Sequence, residues 1–320
     1  MLGGRQGHPA WPDGGARCAA QGLIDDVAEA TSVLAHELGV SVQRGPVDSW
    51  TKLVSRSVHA ETLWPVLPAE RHAEVLIQKN LSVLWTIVVD DAIDRDGSVA
   101  ELADSAMVLF GGADPRTPAG ALLQELLRRA SATSSDEATP LRVALGEILA
   151  GFHYEHACLL CPALAEPSAY LHHSAATYGL YAILAIDVVA ARGNLSDAEV
   201  STAVRTYREL SMAMRYASDV GGLERERREG ALNLIEIWRR SDRSADDATL
   251  IARAERAARS HLLRARQIGL GVPGVARVVD YIAELVPALL ASDLFGTVSP
   301  APSAEPRDLV TTAAGGNDRC

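Results

Sequence analysis

Lysine is nearly absent from this sequence. Lys52 and Lys79 are the two lysines among 30 basic residues, so arginine carries the positive charge. Together with an alanine-rich composition, this reads as a genomic base bias rather than a functional signal. The net charge of −11 leaves no basic footprint for nucleic acid. Cysteine is also scarce: Cys18, Cys158, Cys161 and Cys320 follow no disulfide-scaffold spacing. No signal-peptide pattern opens the chain at Met1-Leu2-Gly3-Gly4-Arg5, so the expected setting is the reducing cytoplasm. No apolar run reaches the roughly 18–20 residues that span a membrane. The longest, Tyr178 to Val189, is interrupted by Asp187. Aromatic residues make up 5 % of the chain, with three Phe, and no stretch alternates polar and apolar residues as a strand would. A dinucleotide fingerprint, a P-loop and internal repeats are all missing.

What is present suits a soluble all-α protein. Hydrophobic residues at 48 % can build a sizeable core, and 22 % charged residues is ordinary for a globular chain. Residues 1–18 and 297–320 are rich in Gly, Pro and Ser without apolar period and read as disordered, which leaves 19–296 as a single domain. Helical spacing predicts helices over 23–38, 48–63, 70–94, 98–110, 118–131, 140–161, 166–192, 196–226, 244–269 and 272–294, with an amphipathic stretch at 227–242. Ser196-Asp197-Ala198-Glu199 is a capping-box start. Gly179 inside the most apolar helix costs about 1 kcal/mol relative to Ala, so it needs a reason, and close helix packing is the plain one.

The chain is organised around the helix that ends in Asp90-Asp91-Ala92-Ile93-Asp94. Residues 80–89 are almost wholly apolar, so the helix is buried all round until its acidic end. Asp90 and Asp94 stand one above the other on one face, and Asp91 points about 100° away. Stacked carboxylates repel, and a hard divalent cation relieves the conflict, completing its shell with water and substrate phosphate. An exposed helix end before a turn is the plainer alternative. A second apolar-to-acidic change follows at Ser218-Asp219-Val220-Gly221-Gly222-Leu223-Glu224-Arg225-Glu226, where 218, 222 and 226 share a face. Two such helices can hold metal ions between them. Zinc at His153, His156, Cys158 and Cys161 is disfavoured, because Cys158 projects about 140° from His153 on one helix. These side chains read as lining of the bundle interior or as packing.

Asp90-Asp91-Ala92-Ile93-Asp94 resembles the DDxxD motif of class I terpene synthases. Ser218 to Glu226, followed by Arg227-Arg228-Glu229-Gly230 and Asn233-Leu234-Ile235, resembles their second metal motif, (N/D)Dxx(S/T/G)xx(K/R)E. Order and separation match, so the resemblance covers roughly residues 20–295. It implies a single-domain helical bundle with a central active-site cavity, and Mg²⁺-dependent ionisation of an allylic prenyl diphosphate. Three Mg²⁺ ions are implied, with Mn²⁺ as a substitute. Their ligands would come from Asp90, Asp91 and Asp94 on one wall and from Ser218, Asp219, Gly222 and Glu226 on the other. Ser218 departs from the usual Asn or Asp, and whether it, Asp219 or water fills that position stays open.

Arg225 would reach the diphosphate, with Arg215 and Arg228 as lesser candidates. Gly179 would mark a helix break whose carbonyl helps trigger ionisation. The diphosphate-sensing arginine of the family then falls at Ala175, with His172 and His173 the nearest cations. That departure is easier to reconcile with labdane-related diterpene synthases, so the expected substrate is a C20 diphosphate, geranylgeranyl or bicyclic. Carbocations favour π faces, and the pocket candidates are Trp85, Thr86, Phe152, His153, Tyr178, Tyr181 and Tyr216, although core packing suits each aromatic better. The runner-up is a C15 or C10 cyclase. A chain-elongating prenyltransferase lacks its second aspartate-rich motif here. A helical binding protein that lost activity through Ser218 and Ala175 is the non-enzyme alternative, and a homodimer is compatible with the sequence.

Overall fold

The computed structural model describes residues 14–42, 45–96, 98–131, 139–191 and 193–291. The expectation of disorder for 1–13 and 297–320 lies outside these residues. Among them are thirteen α-helices and no strand. The first five are α1 (Gly14–Glu37), α2 (Val47–Ala60), α3 (His72–Asp96), α4 (Ala100–Gly111) and α5 (Pro118–Ser131). Then come α6 (Thr139–Leu160), α7 (Pro167–Ser174), α8 (Leu180–Ala191), α9 (Asp197–Gly221) and α10 (Leu223–Glu229). The chain closes with α11 (Leu234–Ser241), α12 (Asp247–Gly269) and α13 (Val275–Ala291).

Several boundaries differ from the periodicity reading for identifiable reasons. α1 starts at Gly14, inside the stretch expected to be disordered, because Ala16, Arg17, Ala19 and Ala20 favour helix without an apolar stripe. The stretch 166–192 is two helices joined by a 3-10 turn at Ala176–Tyr178 and bent by 50°. Gly179 stands at the break with φ +75°, a conformation glycine adopts without Cβ strain. The stretch 196–226 is also two helices, α9 and α10, divided where Gly221 and Gly222 lower helix propensity. Hydrogen bonds from Gly222 N to Ser218 O (2.7 Å) and from Glu226 N to Gly222 O (2.9 Å) carry the helical face across the division. The predicted capping box is present at the start of α9, with Ser196 N donating to Glu199 Oε2 at 2.8 Å.

α3 is the buried axis of the bundle and packs on α2, α5 and α8. Val75, Leu76, Leu81, Leu84, Trp85 and Val89 are fully buried around it. α9 runs beside α8, α12 and α13, and α6 covers α7 and α8. The first half of α3 also buries Lys79 and Asn80. Lys79 Nζ lies 2.8 Å from Asp187 Oδ1 of α8 and donates to Thr62 Oγ1 at 2.9 Å. Asn80 donates to Thr31 and Ser55. Tyr281 joins this end by donating to Ser57 Oγ. Lys79 lies about 16 Å along the helix axis from Asp90, at 1.5 Å per residue, so the polar hub and the acidic motif occupy opposite ends. No single described helix is long and apolar enough to cross a membrane. The bent pair α7–α8 meets that test only jointly, and α8 is buried against its neighbours.

Candidate active site

The acidic end of α3 meets the helix break. Thr86, one turn before Asp90, packs against Gly179, where an added Cβ would lie 3.6 Å from Thr86 Cγ2. Along this end Asp90 is half-buried, Asp91 is buried and Asp94 is exposed. α6 presses on the break from another side: a Cβ at Gly151 would lie 2.7 Å from the carbonyl oxygen of His173. One turn further on, Glu155 accepts from Thr177 Oγ1 at 3.4 Å. Desolvation pushes the Glu155 carboxyl up to about 7; Arg215 opposes this, while Asp90 and Asp219 reinforce it. Glu155 therefore feels the acidic end of α3 on one side and the second acidic segment on the other.

On α9, the Ser218 side chain lies beside the Tyr178 phenol of the break and offsets part of the upward push that burial gives it. Asp219 is fully buried and turned the other way. It accepts from Arg215 Nε (2.8 Å) and Nη2, from Tyr170 OH (3.2 Å) and from Leu234 N (3.1 Å). Arg215 lies over two rings, its guanidinium carbon 5.3 Å from the Tyr170 centroid and 5.8 Å from that of Tyr178. Burial works against its charge, but Asp219 holds it well above its usual range. Glu226 on α10 accepts from Asn233 Nδ2 at 2.7 Å and from Arg225 Nη2 at 3.1 Å. Burial, followed by the charge of Asp219, pushes Glu226 up to about 7. Its carboxylate folds over Gly222, where a Cβ would lie 2.6 Å from Glu226 Oε1.

Asp90, Thr86, Gly179, Tyr178, Ser218 and Arg215 are thus linked through the break, with Gly222, Arg225 and Glu226 continuing from α9 into α10. The other pocket candidates lie elsewhere. Trp85 donates to Ser105 Oγ and meets Phe152 edge-on at 6.4 Å, both inside the core. Tyr216 packs between Trp238 and His261, and Tyr181 is half-buried, with Arg208 and Ser211 of α9 beside it. His153 is exposed on α6. Arg228 is exposed and donates to the carbonyl of Glu224 in its own helix. Near the break, Ala175 is buried, His172 is exposed and His173 stacks on Tyr154 at 4.6 Å. The guanidinium against the break comes from Arg215 on α9. Sequence reasoning missed Glu155 and Tyr170, which carry no motif, and passed over Asn233, which it quoted without assigning a task.

Residues 82–259, more than half of the chain, match the family described as terpene synthase family 2, C-terminal metal binding. The chain belongs to that family. Both acidic segments lie inside the matched region, and the chain is a class I terpene synthase, a lyase-type cyclase with a metal-binding domain. No curated protein matches its sequence. Its fold is similar to that of linalool/nerolidol synthase from Streptomyces clavuligerus in complex with 2-fluorogeranyl diphosphate, at 17% identity, over 83% of this chain and 96% of that chain, with a TM-score of 0.58. Germacradien-4-ol synthase from Streptomyces citricolor is 19% identical over 87% of this chain and 95% of that chain, with a TM-score of 0.53. At such identities the likeness is one of fold.

The donors fit a hard divalent ion. Asp90, Asp94, Ser218 and Glu226 offer oxygen only, the preference of Mg²⁺. Among the described residues, no three His, Cys, Asp or Glu side chains converge to hold an ion by themselves.

Proposed function

We propose that this terpene synthase ionises an allylic prenyl diphosphate with Mg²⁺, three ions as in the family it belongs to, and that the substrate is a C20 diphosphate, geranylgeranyl or bicyclic. One observation carries the reading: the acidic end of α3 and the end of α9 stand on either side of one helical break, where Thr86 packs on Gly179 and Ser218 lies beside the Tyr178 phenol. Asp90 and Asp94 hold ions on the first side, with Asp91 buried behind them. Glu226 holds them on the second, with the Ser218 hydroxyl in the position usually taken by Asn or Asp. Asp219 does not serve there, because four donor groups already engage its carboxylate. Mn²⁺ shares the preference for oxygen donors. The bound ions neutralise the departing diphosphate.

The chain's own groups do the rest. Arg225 and Arg215 offer guanidinium donors suited to phosphate oxygens, and Gly179 places its carbonyl at the break. The Tyr178 and Tyr170 rings stand beside that break as π faces for a cation. The C20 assignment rests on Ala175 at the position of the family's sensing arginine. A shorter C15 or C10 substrate is the second reading, favoured by the bulk of Tyr170, Tyr178 and Arg215 around the break.

The test is incubation of the purified chain with C10, C15, C20 and bicyclic C20 diphosphates, each with Mg²⁺ or with a chelator, read by gas chromatography–mass spectrometry. A cyclised or dephosphorylated product from C20 only, dependent on Mg²⁺, is expected. Product from C15 or C10 alone moves the assignment to the shorter substrate, and silence from all four refutes the function.

A further inference from the structure

Asn233 at the start of α11 is fully buried and uses every atom of its side-chain amide. Its Oδ1 accepts from Ile235 N at 2.8 Å, which caps α11. Its Nδ2 donates twice, to Glu226 Oε2 and to the carbonyl oxygen of Asp219, each at 2.7 Å. The neighbouring Leu234 N–H donates to Asp219 Oδ2. One residue therefore ties α9, α10 and α11 together at the second acidic segment.

The two tasks make different chemical demands. A cap needs only an acceptor, which Ser and Asp supply as well as Asn. The contacts to Glu226 and to the Asp219 carbonyl need an N–H donor, and an amide offers both functions at once. We infer that Asn233 is a positioning residue for Glu226, selecting the conformation in which its carboxylate lies folded over Gly222. The inference rests on the reading of Glu226 as a metal ligand. With Asn233 on Oε2 and Arg225 on Oε1, the carboxylate is aimed before any ion arrives. Groups that orient a ligand in this way are typically worth roughly 10–100-fold in metal affinity.

Asn233→Ser and Asn233→Asp separate the tasks, since each keeps an acceptor for Ile235 N and neither brings an N–H donor to Glu226. Mn²⁺ binding in the presence of inorganic diphosphate, followed by electron paramagnetic resonance, gives a readout apart from turnover. Melting of the metal-free protein monitors the cap. In Asn233→Ser, Mn²⁺ affinity is expected to fall roughly 10-fold or more, with the melting temperature little changed. The Mg²⁺ concentration for half-maximal activity should rise while the rate at saturating Mg²⁺ is largely kept. Asn233→Asp guards against a defect peculiar to serine and should show the same loss. Wild-type affinity in both variants overturns the inference and leaves Asn233 a cap, as does failure of both to fold. No Mn²⁺ binding by the unaltered protein would instead sink the reading of Glu226 as a ligand, and this inference with it.

Discussion

Glu61 offers a prediction at the end of the bundle remote from the acidic motif. Its side chain is buried beside Lys79 and Asp187, so one ammonium faces two carboxylates. Asp187 is the better placed, with Lys79 Nζ on Oδ1 and Leu63 N donating to Oδ2. Glu61 accepts the Ser57 hydroxyl at 2.9 Å. Burial pushes the Glu61 carboxyl from its ordinary 4.5 up to about 7. Between those values the folded chain holds a proton that the unfolded chain has released, so stability falls as pH rises through this window. Below it both states are protonated; above it the full penalty stands. At about 1.4 kcal/mol for each tenfold change in proton affinity, the penalty is on the order of 3 kcal/mol. Glu61→Gln has no proton to lose and keeps an acceptor for Ser57. It should match the unaltered protein near pH 4 and exceed it by up to about 3 kcal/mol at pH 8. In thermal melts the gap would be up to roughly 4–5 °C. A constant difference across pH 4–8 would refute the reasoning. So would a Glu61→Gln variant less stable at pH 8, because Glu61 would then be the anion that Lys79 requires.

Three further changes probe the site and its frame. Asp90→Asn should lower Mg²⁺-dependent diphosphate release on the order of 100-fold with the helical circular-dichroism signal intact; undiminished turnover would remove Asp90 from the site. Gly151→Ala places a Cβ 2.7 Å from the His173 carbonyl oxygen and 2.8 Å from Thr177 Cγ2, which should cost about 1–3 kcal/mol in chemical denaturation. Gly222→Ser supplies a hydroxyl but puts its Cβ 2.6 Å from Glu226 Oε1, so Glu226 must leave Asn233 and Mn²⁺ affinity should fall roughly 10-fold; tighter binding would show that the hydroxyl outweighs the displaced carboxylate.

Features visible in the sequence were those set by local periodicity. The course of α3, its acidic end and the capping box at Ser196 each depend on residues within a few positions of one another, whereas periodicity ran one helix through Gly179 and only the family resemblance implied a break there. The division between α9 and α10 was written in Gly221-Gly222, but the unbroken apolar spacing before it favoured one long helix. Roles that depend on what packs opposite stayed hidden. Trp85 and Phe152 were cavity candidates for which core packing was the better reading, and the Ser105 hydroxyl fixes Trp85 in the core. Glu155 lies in sequence between the His and Cys residues weighed for zinc, and its position against the break appears only once α6 is laid across α7. Asp219 was one of the open candidates for a ligand position, and that Arg215, Tyr170 and Leu234 donate to its oxygens depends on contacts no motif records.

The two ends of the bundle handle buried negative charge in opposite ways. At the closed end Lys79 and Asp187 have no exposed side-chain surface, so no ion has a route in. A proton on Glu61 is the available means of balancing the second carboxylate. At the other end Arg215 is engaged by Asp219, and Arg225 is shared between Glu226 and Glu229. Asp90, Glu155, Asp219 and Glu226 outnumber those two guanidinium groups. Here Asp94 is exposed and Asp90 half-buried, so cations from solvent can reach the carboxylates. Burial holds both Glu155 and Glu226 near 7, a range in which a proton is easily displaced by a divalent ion. The same excess of carboxylates is therefore a fixed structural cost at one end and, under the proposed metal sites, a driving force for binding metal at the end open to solvent.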